Sequence, residues 1–184
     1  TGWNWIGYVP NYALTVNQAL KGLTPLNGEV LKGQTAFAQY LAGFGWFGSI
    51  QYMEAPNGYQ LKISNPGTLV YPPQPQEKAP KSERPMQPQF WRADATRFEH
   101  SMTLVGMIAA GGQNVTQQTQ EIGAFVNGEL RGSAQAIYIE PLDAYCFFLT
   151  CHANAPGELL QFKLFDAATG KAQELSEKIS FAAN

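Results

Sequence analysis

Residues 72–90 read PPQPQEKAPKSERPMQPQF, with six prolines and no Val, Ile or Thr. Each proline removes a backbone donor and fixes φ, so neither a helix interior nor a central strand runs through such a stretch. The composition predicts an extended linker. It divides the 184 residues into modules 1–71 and 91–184. Each module then has to build its own core from fewer than about 100 residues, where every large side chain counts.

Charged residues make up 14% of the chain, against about 25% in an average soluble domain. Gly 18, Pro 12 and 12% aromatics fill the difference. That balance suits short strands joined by many turns, not a helical bundle. In the first module GWNWIGY alternates Trp3, Asn4 and Trp5 at the period of a half-buried strand. TVNQALKGL offers Thr15 and Gln18 as a capping box and Gly22 as a stop, which predicts one helix of about two turns. Further strands are expected at 28–32, 35–41, 46–53, 58–64 and 68–71, with turns at Asn27-Gly28, Asn57-Gly58 and Asn65-Pro66-Gly67.

The second module reads as all-β, with strands at 98–109, 121–126, 129–139, 144–152, 158–166 and 173–182. Asn127-Gly128 between AFV and ELRG signals a two-residue hairpin. Strands at this spacing predict an immunoglobulin-like β-sandwich. In QFKLFDA, Phe162 and Leu164 fall on one face and Lys163 and Phe165 on the other. Glu129 and Arg131 share a strand face, as a surface ion pair worth little or a polar anchor for a partner.

Certain stretches carry a family likeness. GWNWIGY, GEVLKGQTAFAQY, GWFGSIQYM, NGYQLKI and NPGTLVYP of the first module resemble a repeat of large secreted multidomain bacterial proteins, many exported by the type IX route. HSMTLVGMI, EIGAFVNGELRG, YCFFLTC, FKLFDAATGK and ISFAAN resemble the immunoglobulin-like domain that often follows it. The resemblance covers nearly the whole chain outside the linker. It implies a secreted or cell-surface location and other domains of the same parent chain as neighbours, but no catalytic motif. The start at Thr1, directly before a strand pattern, fits a piece of a longer protein.

The chemistry-bearing residue types are sparse. The net charge is −2 with no basic run, which disfavours a phosphate-tracking groove and so a nucleic-acid partner. No apolar run approaches the ~20 residues of a membrane-spanning helix. There is no G-x-S-x-G, no H-E-x-x-H and no phosphate-cradling glycine loop. His100 and His152 lie in different expected strands. Cys146 and Cys151 fall on opposite faces of one strand, too far apart for a disulfide. Glu121, Asp143 and Asp166 invite a calcium reading, but no D-x-D-x-D-G loop accompanies them, and solvated turn acids explain them better. The expectation is a non-catalytic chain without cofactor or metal.

What remains is aromatics and amides. Sugars present flat C–H faces that stack on exposed indole or phenol rings, while amides bind their hydroxyls. In LAGFGWFG (41–48) the glycines would allow a protruding loop, so Trp46, Phe44 and the even-offset Tyr52 are the candidate ligand-binding residues. The competing reading has that turn plugging the core, with Phe44 or Phe47 as the plug. Trp3 and Trp5 are expected inside the small core, and Trp91 as a docking residue at the end of the linker. The functional expectation is an accessory module that binds polysaccharide. The alternative is a structural spacer or protein-docking module with no sugar affinity.

Overall fold

A computed structural model describes residues 2–74 and 90–183; most of the expected linker, residues 75–89, lies outside the described residues. The chain forms two compact units, Thr1–Pro85 and Met86–Asn184. Both are built mainly of β-strands.

The first unit contains β1 (Gly2–Gly7), β2 (Leu14–Thr15), α1 (Val16–Ala19), β3 (Val30–Lys32), β4 (Phe37–Leu41), β5 (Gly45–Gly48), β6 (Tyr52–Met53) and β7 (Gly58–Ile63). Five strands make an antiparallel sheet in the order β1-β7-β3-β4-β5, and β2 pairs with β6 separately. The expected capping box forms, since the Thr15 hydroxyl accepts the Gln18 N–H and Gln18 reaches back to the Thr15 N–H. The helix nevertheless has one turn, not two. Leu20 already leaves helical geometry, and no acidic residue in the first turn or basic residue in the last supports a longer one. The core collects one face of the sheet, with Leu31, Ala38, Trp46, Tyr59, Leu61 and Ile63, against Leu14, Val16, Ala19, Leu20 and Met53. No strand forms at the expected 68–71.

The second unit contains β8 (His100–Gly106), β9 (Ala109–Ala110), β10 (Gln113–Asn114), β11 (Gln120–Val126), β12 (Glu129–Ile139), β13 (Ala144–Ala153), β14 (Leu159–Asp166) and β15 (Lys171–Ser180). Six of these follow one another in the order β15-β14-β11-β12-β13-β8, while β9 and β10 form a separate hairpin. Between β11 and β12, Asn127 (φ 49°) and Gly128 (φ 82°) both take positive φ, the signature of the two-residue hairpin that the sequence announces. Long β12 pairs with β11 through Glu129–Gln135 and with β13 through Ala136–Ile139. The sheet therefore turns along β12, and its two halves close sandwich-like over a single core. Met102, Ile122, Ala124, Ala136, Phe147, Leu149, Leu160, Phe162 and Leu164 all point into it. At the turn, Gly132 sits so close to β13 that an added Cβ would lie 2.0 Å from the Thr150 carbonyl oxygen.

Candidate functional site

The LAGFGWFG segment forms the end of β4, the turn that follows and the whole of β5. Asn17 of α1 clamps it: its Oδ1 accepts the Trp46 N–H (2.7 Å) and its Nδ2 donates to the Trp46 carbonyl (3.1 Å). Gly45 (φ +111°) allows this approach, since a Cβ there would meet Asn17 Oδ1 at 2.4 Å. The clamp draws the indole inward. Trp46 is 6% exposed and packs edge-on against Tyr40, with ring centroids 5.5 Å apart. The platform expected at Trp46 is therefore a core plug, and the glycines serve tight packing, not protrusion. Phe44, expected among the plugs, is instead exposed at the tip, and Phe47 is half-buried.

Trp46 and Phe44 still share a hollow of about 340 Å3 with Asn17, Lys21 and Tyr40. Tyr52 does not join them. The strand expected over 46–53 breaks after Gly48, and Tyr52 lies in β6 against Thr15 of β2. The even-offset argument fails because it needs one continuous strand.

The exposed aromatics of the first unit lie elsewhere. Trp5 is 79% exposed and Trp3 39%, contrary to the core placement expected for both. The reason is β1's position. Among the described residues it is an edge strand, paired with β7 alone. Trp3 opposes Lys62 and Trp5 opposes Gln60, so these four side chains share one face. The other face of β7 buries Tyr59, Leu61 and Ile63. Period-two alternation is present, but the tryptophans take the outer phase. Their positions along β1 differ by about 7 Å. The Lys32 and Lys62 ammoniums each lie 5.7 Å from the Trp3 ring centroid. Lys62 is exposed; Lys32 is buried, and that burial pushes its pKa below the ordinary lysine value. Leaving a large apolar side chain in water forgoes about 2 kcal/mol of burial free energy. Here two tryptophans sit side by side on one strip.

In the second unit the polar cluster is structural in character. Glu121 is buried, and its carboxylate accepts the N–H groups of Phe90 (3.1 Å) and Trp91 (2.7 Å). Phe90 stacks on Phe165 with centroids 3.8 Å apart, and Trp91 meets Phe125 edge-on. Arg131, read from sequence as a surface ion-pair partner of Glu129, is 7% exposed. Its closer partner is Glu158 at 2.6 Å, with Glu129 at 3.5 Å. Its guanidinium also lies 4.7 Å from the Phe98 ring, on which buried His152 stacks. A two-residue spacing identifies a shared face but not the partner, Glu158, arriving from the loop just before β14, which sequence reasoning missed.

Asp166 accepts from Thr119, Ala168 and Thr169, and Asp143 from Tyr138. Those acids therefore serve their own turns. Among the described residues no three His, Cys, Asp or Glu side chains converge as metal ligands. Cys146 and Cys151 are free and buried, and burial pushes Cys151 up to about 12. An apolar cleft of about 690 Å3 lies between β8 and β15, lined by Leu104, Met107, Phe162 and Leu175 among others. No helix among the described residues is long and apolar enough to cross a membrane. No protein-family model, curated protein or solved structure matches the chain.

Proposed function

We propose that this chain is a non-catalytic, carbohydrate-binding accessory segment of a secreted or cell-surface bacterial protein. The observation that carries the reading is the pair of exposed indoles, Trp3 and Trp5, on the outer face of β1. An antiparallel strand paired with β7 over six residues holds them on one face of the sheet. Successive outward residues on such a strand are spaced to meet neighbouring rings of an extended glycan. Gln60, beside Trp5, supplies an amide for sugar hydroxyls. The binding face thus lies on β1 and β7 instead of the Trp46 turn.

The test is isothermal titration of the whole chain with a panel of plant, algal and host polysaccharides, repeated with Trp5→Ala. Because Trp5 touches solvent over most of its surface, the variant keeps its melting temperature and loses at least about tenfold in affinity. An unchanged affinity, or no binding to any glycan, refutes the proposal. In the second case the chain is a spacer or a protein-docking unit.

A further inference from the structure

The face that carries Trp3 and Trp5 has an unbalanced charge. The strands of that sheet read GWNWIG, VLK, FAQYL, GWFG and GYQLKI, with two lysines and no Asp or Glu. The register brings both lysines to the tryptophan side: Lys62 opposes Trp3 and Val30, and Lys32 opposes Gln60. The carboxylates among the described residues of this unit lie off the sheet. Glu29 is buried and accepts the N–H groups of Leu26 and Ser64, and Glu54 precedes β7 in the loop from β6. Val30, Lys32 and Phe37 are buried and Gln39 and Phe47 half-buried, and the exposed side chains of this face, Trp3, Trp5 and Lys62, lie at its β1–β7 border. There an exposed ammonium, Lys62, stands next to two accessible indoles. Among the described residues Lys62 takes part in no ion pair.

We propose that the glycan held on this face is a polyuronate. The inference rests on the carbohydrate reading above and names its ligand class. A uronate ring has a C–H face that stacks on an indole and a carboxylate that projects from the ring edge. Stacked over Trp3 or Trp5, that edge carboxylate comes within reach of Lys62. One accessible cation beside two ring platforms matches a polymer with about one charge per ring. A densely sulfated chain would call for a cluster of cations, and a chain of net charge −2 does not attract such polymers through its overall field.

The experiment is calorimetric titration of the whole chain with polygalacturonate, with the same polymer after carboxyl reduction, and with duplex DNA. It is run at low and at physiological salt on wild type, Lys62→Gln and Trp5→Ala. The proposal expects polygalacturonate to bind and to weaken as salt rises. It expects Lys62→Gln to cost about three- to fivefold, the range of an exposed charge pair, and to flatten the salt dependence. The reduced polymer should bind wild type with a similar loss, and Trp5→Ala should abolish measurable binding. Equal affinity for the reduced polymer, without salt dependence, overturns the polyuronate assignment and leaves the carbohydrate reading standing. Failure of every glycan overturns both. DNA binding as tight as polygalacturonate, and insensitive to Trp5→Ala, also overturns the proposal, because bare charge attraction would then account for it.

Discussion

Gly132→Ala tests how the second unit turns along β12. The added Cβ would lie 2.0 Å from the Thr150 carbonyl oxygen and 3.2 Å from the Cys151 Cα. Both are main-chain atoms of β13, between Leu149 and Ala153, which face the core. A side-chain tip would swing aside; the backbone of an inner strand, paired over seven residues with β8, will not. Overpacking of a core costs about 1–3 kcal/mol, and a main-chain obstacle places this variant at the upper end. For a unit of about 100 residues each kcal/mol is worth about 4–8 °C, so the transition containing this unit should fall by about 12–24 °C in scanning calorimetry. Gly106→Ala is the control. Nothing lies within 4 Å of a Cβ at that position and its φ is ordinary, so its transition should move by no more than about 4 °C. If Gly132→Ala melts with the control, β12 and β13 do not approach as described and the account of the turn is wrong.

Asn17→Ala removes both hydrogen bonds to the Trp46 backbone and should cost the first unit about 1–3 kcal/mol, read as a lower urea midpoint together with rising iodide access to Trp46. Glu158→Ala leaves the Arg131 guanidinium buried without its nearest carboxylate and frees the Asn154 and Ala155 N–H groups. A loss of about 3–5 kcal/mol is expected in urea unfolding, and a loss below about 1 kcal/mol would contradict the buried-pair description. Stability should also depend on pH at the alkaline end. Burial raises the Cys151 thiol from 9.0 to about 12, so below pH 9 it is protonated in both folded and unfolded chains and contributes no slope. Above pH 9 only the unfolded chain ionises, and stability falls toward pH 12 by at most about 1.4 kcal/mol per pH unit for this group. Cys151→Ala should make that slope shallower; an identical slope would place the titration elsewhere.

Much of the second unit is legible in its sequence because local signals and burial agree there. Asn127-Gly128 demands positive φ twice and obtains it, which fixes the β11–β12 register. Phe162 and Leu164 point inward while Lys163 and Phe165 point outward, as QFKLFDA implies. The first unit is legible in its elements but not in which face is buried. GWNWIG alternates, yet alternation has two phases, and only the neighbour β7 decides that Trp3 and Trp5 face out. Likewise the glycines around Trp46 fit either a projecting loop or a tightly packed strand. Asn17, 29 residues earlier, settles the matter through a contact that no local pattern encodes. The helix stops after one turn because packing of Val16 and Ala19, not helix propensity, holds it.

Collisional quenching by iodide, followed with and without a bound polysaccharide, tests the central claim most directly. Wild type should show a quenched tryptophan component from Trp5 and Trp3, reduced in Trp5→Phe, removed when Trp3 and Trp5 are both replaced by Phe, retained in Trp46→Phe and protected when the glycan is added. A quenched component that survives the loss of both Trp3 and Trp5, or that the glycan leaves unprotected, would contradict the assignment of the β1 face as the binding surface.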